Sequence, residues 1–550
     1  MQSPLVKTII LLTLLAGTLA CTRRGYDDNE KTVFLYNEPS NITSLDPAYA
    51  KDQANIWACN QLFNGLIRLD TNLKPVPCIA KQWEISRDGR EYSFLLRNDV
   101  YFHQTDKFTS RKVVAEDFVY SFSRILDPEV ASPGSWIFSK VEMTGDMPGF
   151  IVLNDSVLII RLNEPFPPFL SILGMQYCSV VPIEAVENTE ARFSRYPVGT
   201  GPFRLSTWKE GVKMVLVKND RYFEYDGIIR LPYLDAVSIT FLSDQQSAFL
   251  EFMKGNLDFL SGIDPSFKDE LLTRTGKLNP KYSSTVRLMK GPYLNTEYLG
   301  IMMGTEEHGQ SNPLLLKKVR RAVNMGFDRE KMIRYLRNGI GIPGNYGFVP
   351  AGMPAFDPSR RYYSYDPDSA RKLLNSQGLN KKTPVKTINL HTTADYLDIC
   401  KYIQSQLSLI GMEIEIEVHP AATLKELKAQ GKLSFFRASW IADYPDEENY
   451  LSLFYSGNFT PDGPNYTHFS NPHYDSLYLL SQKTVSYDDR VSLYRSMNEL
   501  IMEECPVVVL YYDEVTRFVS TKIEGMENNP MNLLDLRKVR KRPGNDKNIP

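Results

Sequence analysis

The chain has 550 residues, 43% of them hydrophobic and 23% charged, and its 63 basic and 65 acidic side chains give a net charge of −2. This length exceeds what one hydrophobic core usually serves, so two or more compact units are predicted. The composition excludes wholesale disorder and a polytopic membrane protein. Because the chain has no basic excess to neutralise phosphates, nucleic acid is not expected as a partner.

The N-terminal segment has the layout of an export signal. Lys7 precedes an apolar run over residues 9–15, and small residues then lead into Cys21. The run is well short of the roughly 20 residues that span a bilayer, so a retained transmembrane helix is the weaker interpretation. We therefore predict a signal peptide over residues 1–20 and a linker over residues 21–29.

Residues 17–21 read GTLAC and resemble the lipobox of bacterial lipoproteins, in which the cysteine carries lipid. Thr18 departs from that pattern, since leucine is commonest there. The resemblance implies a lipid anchor on Cys21, and the alternative is ordinary cleavage beside an incidental cysteine. Export places the other cysteines in an oxidising compartment. Their spacing supports neither a metal knuckle nor a redox motif, so we expect mostly buried thiols, with room for one disulfide.

Hydrophobic periodicity predicts strands and helices in alternation. Asp328 is a predicted N-cap, residues 345–367 are predicted to form an ordered loop, and the chain after Asp535 is predicted to fray. The predicted strands cover residues 32–37, 92–96, 157–162, 203–205, 213–217, 387–390 and 413–418, and the predicted helices cover residues 54–67, 115–125, 245–254, 317–327, 329–336, 366–374 and 396–409.

A glycine-rich segment, VGTGP from Val198 to Pro202, could suggest a phosphate-binding loop. Such loops place their amides at a helix N-terminus, whereas here Pro202 and a predicted strand follow. A tight crossing turn is therefore the better interpretation.

Motifs that would indicate an enzyme lack a convincing context. The sequence has no G-x-S-x-G elbow, H-E-x-x-H pair or Walker loop. S-x-x-K occurs at residues 206–209 and 369–372, but no K-T-G segment accompanies the first of them, at a predicted strand end. No catalytic residue, metal site or cofactor is predicted. Each of the six histidines is expected to be a surface or structural residue: His103, His308, His391, His419, His468 and His473.

Several segments, in a shared order over nearly the whole mature chain, resemble the extracellular solute-binding proteins of family 5. The resemblance is to the oligopeptide and dipeptide branch, the periplasmic receptors of peptide ABC importers. The matching segments are SLDPAYA from Ser44, QLFNGL from Gln61, AKQW from Ala80, DG at 88–89, YSFLLR from Tyr92, FT at 108–109, AEDF from Ala115, YPVGTGPF from Tyr196, RRAVN from Arg320 and DREK from Asp328.

The resemblance implies an α/β fold: a two-lobe periplasmic binding protein clamshell of type II with an additional third domain. The lobes would close around a ligand that contacts both of them. The implied boundaries are residues 30–68, 193–295 and 511–540 for lobe I, 69–192 for the additional domain, 296–510 for lobe II and 541–550 for a C-terminal tail.

Residues 437–444 read RASWIADY and resemble the ligand-binding segment of oligopeptide receptors. The resemblance implies that Asp443 pairs with the α-ammonium group of a peptide, while strand amides pair with the peptide backbone. Arg437 matches a basic residue that meets peptide carboxylates, and Lys428 is a second candidate. The alternative for Asp443 is a helix cap or a loop salt bridge. The predicted ligand-binding residues are Asp443, Arg437, Trp440, Ala438, Tyr444 and Lys428.

Three departures leave the preferred peptide open, including a cell-wall peptide. Ile441 replaces a cysteine of some relatives, Ala421 and Ala422 stand where a tryptophan can line a pocket, and Leu397 stands near the place of a histidine. The expected partners are short peptides, an ABC permease with its ATPase subunits, and a membrane held through the lipid anchor. A monomer is expected, in the periplasm or on the outer face of a bacterial membrane. Receptors for nickel or haem, an exported serine hydrolase and a surface sensor or adhesin are the alternatives.

Overall fold

A computed structural model describes residues 31–262, 267–304, 312–379 and 388–542. The predicted signal peptide, the linker, Cys21, His308 and Thr387 lie outside these ranges. None of the helices within the ranges is both long and apolar enough to cross a bilayer.

The described residues form 23 strands and 14 α-helices, joined by loops and short 3-10 turns. The strands are β1 Val33–Asn37, β2 Ile67–Leu69, β3 Pro75–Pro77, β4 Ala80–Ile85, β5 Glu91–Leu96, β6 Met143–Thr144, β7 Met147–Pro148, β8 Phe150–Asn154, β9 Val157–Arg161, β10 Phe203–Lys209, β11 Lys213–Lys218, β12 Tyr225–Asp226, β13 Ile229–Arg230, β14 Ala236–Thr240, β15 Phe259–Ser261, β16 Val286–Ile301, β17 Ile342–Pro343, β18 Ile388–Thr392, β19 Ile414–Val418, β20 Phe435–Ile441, β21 Val507–Ser520, β22 Ile523–Glu524 and β23 Arg540–Lys541. The helices are α1 Gln53–Leu62, α2 Ala115–Leu126, α3 Phe169–Ile172, α4 Ile183–Val186, α5 Gln245–Met253, α6 Lys268–Leu271, α7 Lys317–Met325, α8 Arg329–Leu336, α9 Pro367–Asn375, α10 Leu397–Ser408, α11 Ala421–Ala429, α12 Glu448–Leu451, α13 Pro472–Lys483 and α14 Tyr487–Glu504.

One large mixed sheet runs through the molecule in the order β10-β11-β14-β1-β15-β21-β16-β20-β18-β19, and β17 also pairs with β21. The two longest strands, β16 and β21, lie side by side at its centre. We call the part formed by β10, β11, β14, β1 and β15 the first half, and the part formed by β20, β18 and β19 the second half. The β16–β21 register shifts between Pro292 and Thr296, close to the predicted boundary between the lobes. The domain boundaries themselves stay predictions.

Helices cover both faces of the second half. On one face, apolar side chains of α7, α8, α9 and α10 pack against residues such as Leu390 and Phe435. On the other face, side chains of α11, α13 and α14 pack against Phe436 and Ala438. This layering explains why β20 is largely apolar, with polar side chains at few of its positions.

A separate antiparallel sheet in the order β4-β5-β9-β8 lies beside the first half. Helix α2 covers it through Phe118 and Phe122, and one apolar core joins this unit to the first half. Its position in the chain lies within the additional domain that the resemblance implies.

The predicted strands and helices are found with small shifts at their ends, except near residues 62–69. The predicted helix over 54–67 ends at Leu62, because the Leu62 carbonyl accepts a hydrogen bond from the Gly201 amide at 2.9 Å. Residues Ile67–Leu69 instead form β2. A Cβ atom at Gly199 would lie 2.0 Å from the Leu62 oxygen. The prediction of a tight crossing turn at residues 198–202 is therefore confirmed.

Two further predictions are corrected. The cysteines of the described residues are buried and free, so the allowed disulfide does not form among them: Cys59, Cys78, Cys178, Cys400 and Cys505. The chain after Asp535 does not fray before residue 542. Arg537 pairs with Glu224, and the Lys541 ammonium donates to Asp258 at 2.7 Å and to the Val33 carbonyl at 3.0 Å. These charged contacts fix the segment to the first half.

Candidate functional site

Strand β20 presents an open backbone edge beside the predicted site. One edge of β20 is paired with β16 along its whole length. The other edge pairs with β18 at Phe436, opposite His391, so the backbone from Ala438 to Ile441 lies beyond that ladder. Unpaired strand edges are the surfaces on which an extended peptide can add as a further strand.

Asp443 lies two residues past the end of β20, as predicted. Its side chain is exposed, and among the described residues only Asn449 donates a side-chain hydrogen bond to its carboxylate, at 3.5 Å. Protein atoms nevertheless surround the carboxylate, and this desolvation raises the pKa of Asp443 above its ordinary value. Asp443 is thus reachable by solvent and has no cationic partner among the described residues, which suits a carboxylate that pairs with a cationic ligand group.

Asn449, which sequence reasoning did not identify, holds this segment in place. Its buried side-chain oxygen accepts from the Trp440 indole nitrogen at 2.8 Å and from the Asp443 amide at 3.3 Å. Asn449 belongs to the short helix α12 that follows the loop. The sequence carries no local signal for this role, because the contact depends on how the loop after β20 folds back.

Two of the predicted site residues have buried side chains that the protein itself occupies. The Ala438 side chain faces the apolar core. The Tyr444 hydroxyl donates to Glu448, and the Tyr444 ring lies 5.8 Å from that of Trp136. Through their side chains these residues support the segment. The Ala438 backbone lies on the open edge of β20 and remains available.

The unit around the four-stranded sheet faces the Asp443 segment. The Trp136 ring packs near the Tyr444 ring, and Tyr177 lies close enough to Asp443 for the two side chains to interact electrostatically. Burial, and then the negative charge of Asp443, raise the pKa of Tyr177 to about 12. A cavity of about 420 Å³ lies between the same two parts of the chain, lined by Tyr92, Leu170, Pro445 and Arg490 among others.

Arg437 lies further back on β20 and is already paired. Its guanidinium donates to Glu297 on β16, and it stacks 3.2 Å from the centre of the Tyr396 ring. The Tyr396 hydroxyl in turn donates to Glu297 at 3.2 Å. The Nε atom of Arg437 is buried without a hydrogen-bond acceptor among the described residues.

Lys428 on α11 completes a basic region with Arg437. Desolvation, and then the positive charge of Arg437, lower the pKa of Lys428 to about 8, against the opposing effect of Glu297. The lysine nitrogen lies 5.5 Å from the centre of the Tyr466 ring. A ligand carboxylate placed here would meet a cation that has no ion-pair partner within the described ranges, whereas Asp443 offers an anion at the other end of β20.

Side chains that could hold a metal ion lie elsewhere in the second half. His391 on β18, Glu417 on β19 and His419 just past β19 come together, a juxtaposition that sequence reasoning missed. Glu417 and His419 are two residues apart, which places both on one face of a strand. Only the structure shows that this strand pairs with the one that carries His391.

Known proteins resemble this chain over most of its length. The family model for bacterial extracellular solute-binding proteins, family 5 Middle, matches residues 74–462. The dipeptide-binding protein DppE of Bacillus subtilis is 23% identical, with 95% of this chain and 94% of that protein covered. The periplasmic oligopeptide-binding protein OppA of Escherichia coli is 25% identical, with 95% of each covered. The periplasmic murein tripeptide-binding protein MppA, whose structure is of the unliganded open form, is 23% identical in sequence. The two structures match with a TM-score of 0.80, over 93% of this chain and 98% of that one.

These comparisons confirm the predicted fold class, an α/β two-lobe clamshell with an additional domain. The family consists of binding receptors, which confirms the prediction that the chain is not an enzyme, and its members act outside the cytoplasm. The ligand-binding residues stay predictions. Since the family model spans more than half of the sequence, the chain belongs to the bacterial extracellular solute-binding proteins of family 5.

Proposed function

We propose that this protein captures short peptides outside the cytoplasm and delivers them to the permease of an ABC importer with cytoplasmic ATPase subunits. The observation that carries the proposal is Asp443, an exposed but desolvated carboxylate beside the open edge of β20. Relatives named dipeptide-binding and oligopeptide-binding proteins support this ligand class. The same carboxylate favours peptides with a free amino end over neutral or anionic solutes.

In this proposal the peptide lies along β20 with its amino end at Asp443. Its backbone pairs with the edge from Ala438 to Ile441, and its carboxylate points towards Arg437 and Lys428. Because backbone groups are the same in every peptide, such pairing tolerates many side chains. Six residue steps separate Asp443 from Arg437, or about 20 Å of extended chain. Allowing for the reach of both side chains, this span suits peptides of roughly three to five residues.

The proposal includes closure of the two lobes on the bound peptide. β16 and β21 connect the halves of the main sheet, and their register shift between Pro292 and Thr296 interrupts the ladder where they meet. A local break of this kind lets two packed halves rotate without disrupting either core. Closure would be favoured by a ligand that touches both halves, since those contacts exist only in the closed state.

We expect peptides of roughly three to five residues to accompany the protein through purification. Native mass spectrometry of the mature chain would show their added mass, and denaturing release followed by sequencing would give their length and identity. A murein peptide in place of mixed oligopeptides would define a specialised receptor within the same proposal. Haem, or a metal that competes with added peptide for binding, or a chain that takes up no peptide of this length when titrated, would contradict it.

The proposal also places a lipid on Cys21, supported by the GTLAC sequence at residues 17–21. A cysteine at the start of the mature chain would hold the receptor at a membrane surface if its lipid carries at least two acyl chains. The Cys21→Ala protein should therefore move from the membrane fraction to the soluble fraction in cell fractionation. Cys59→Ala, which removes a buried thiol, is the matched control and should stay with the membrane. Membrane association of Cys21→Ala equal to that of the unchanged protein would show that the anchor lies elsewhere.

A further inference from the structure

An imidazole and carboxylate cluster lies at the outer edge of the main sheet, in its second half. β18 and the edge strand β19 run parallel, and His391 is the direct partner of Glu417. His419 follows β19, two positions after Glu417, and its amide donates to the Thr392 carbonyl at 2.8 Å. The three side chains therefore project from the same face of two hydrogen-bonded strands.

The donor atoms of these side chains converge within 4.8 Å of one another. His391 Nδ1 lies 2.9 Å from His419 Nε2. The nearer carboxylate oxygen of Glu417 lies 3.4 Å from His391 Nδ1 and 3.8 Å from His419 Nε2. A hydrogen bond between the two rings explains the 2.9 Å separation of their nitrogens. It does not explain why the Glu417 oxygen lies near both nitrogens.

The distances match those between ligands of a small metal ion. With bonds of about 2.0–2.1 Å, two ligands at right angles lie about 2.9 Å apart, and two tetrahedral ligands about 3.4 Å apart. The two shorter separations equal these values, and a small rotation of the Glu417 side chain, which is 44% exposed, would correct the third.

A neighbouring amide orients the carboxylate. The Asn389 side chain donates to Glu417 Oε1 at 2.6 Å, which leaves Oε2 facing the imidazoles. Outer hydrogen bonds of this kind fix metal ligands in place. The His391 and His419 side chains are 12% and 20% exposed, so the cluster can be reached from solvent while the sheet holds its backbone.

We propose that His391, Glu417 and His419 bind a divalent first-row transition metal such as zinc, with coordination positions left open for water or a small ligand. Two imidazoles and one carboxylate suit ions of this group rather than magnesium or calcium, which prefer an all-oxygen shell. The cluster uses none of the residues of the proposed peptide site, because its side chains come from β18, β19 and the residue after β19. A bound ion would tie the edge strand to its neighbour.

The test is a zinc titration of the metal-stripped mature chain by calorimetry, with native mass spectrometry for the stoichiometry. One zinc ion should bind with a dissociation constant that rises at least about 100-fold in His391→Ala and in His419→Ala, since removal of even an outer-shell partner costs roughly 10–100-fold. Asn389→Ala should raise it roughly 10-fold for the same reason. Magnesium should not compete.

His473→Ala is the matched control, because this histidine is exposed on α13, outside the cluster. It should bind zinc as the unchanged protein does. If a cluster variant fails to fold, X-ray absorption of the zinc-loaded unchanged protein tests the same proposal, and it should show two imidazoles and no sulfur. Sulfur ligands, an all-oxygen shell, or zinc affinity that survives in the His391→Ala and His419→Ala double variant would overturn it.

Discussion

The Asp443→Ala protein should bind peptides more weakly by roughly 2–5 kcal/mol, because a desolvated ammonium group would lose its ionic partner. In the part of the chain that the structure describes, the Asp443 side chain accepts one weak hydrogen bond, from Asn449, so the substitution removes few contacts. The native fold and the thermal midpoint of the ligand-free chain should therefore change little. Calorimetric titration with one tripeptide gives the affinity, and circular dichroism checks the fold.

Acetylation of the peptide amino end provides the matching change on the ligand. Acetylation should weaken peptide binding to the unchanged protein strongly. It should reduce the affinity of Asp443→Ala little further, because that protein has already lost the contact between the carboxylate and the peptide amine. Asp462→Ala, which removes an exposed carboxylate elsewhere in the second half, should leave affinity unaltered. Additive losses from acetylation and Asp443→Ala would show that the carboxylate acts on something other than the peptide amine.

The pH dependence of binding gives a further readout of the same contact. Desolvation raises the pKa of Asp443, and only the ionised form attracts an ammonium group. Affinity should therefore fall as the pH is lowered, beginning at a higher pH than the ordinary aspartate range. Asp443→Asn should remove this dependence while it preserves the shape of the side chain.

The Gly199→Ala protein should lose about 2–4 kcal/mol of unfolding free energy, a large effect for one methyl group. The added Cβ would lie 2.0 Å from the Leu62 oxygen and 2.7 Å from a ring carbon of Phe63. The oxygen belongs to the backbone at the end of α1, so neither side can yield without separating the crossing turn from the helix. A lower urea midpoint at unchanged slope would report this loss.

The Gly255→Ala protein is the control for Gly199→Ala, because it measures the cost of backbone strain without steric overlap. Gly255 has a φ of +81° and no atom within 4 Å of an added Cβ, so its substitution should cost only the strain of that conformation, about 1–2 kcal/mol. The larger loss should come from Gly199→Ala. Equal losses would mean that the turn at residues 198–202 relaxes easily and that the close approach is not a constraint on the fold.

Local patterns in the sequence predict the elements that depend on nearby residues. The strand, helix and strand formed by β18, α10 and β19 follow from periodicity, and Asp328 caps α8 as its residue type predicts. The end of α1 could not be predicted, because the hydrogen bond that stops it comes from Gly201, far along the chain. The order of the segment after Asp535 could not be predicted either. Its basic side chains pair with Glu224 and Asp258, which lie far away in the sequence, on the first half.

The candidate site shows the same division. Family resemblance predicts Asp443 and the strand that leads to it, since these residues form one continuous motif. It does not reveal that Arg437 pairs with Glu297 or that Asn449 supports Asp443, because those contacts join separate elements. Nor does it distinguish the exposed Asp443 side chain from the buried Tyr444 side chain next to it. Burial is a property of the assembled core rather than of the motif.

The contact of Lys541 with the Val33 carbonyl brings the beginning and the end of the described chain together on the first half. A load applied at either end, whether from a membrane tether or from an immobilised tag, would therefore be borne by that half alone. The second half would then move without carrying any of that load. Immobilising the protein through the chain before Val33 or after Lys541 should consequently leave the proposed closure of the lobes free of that load.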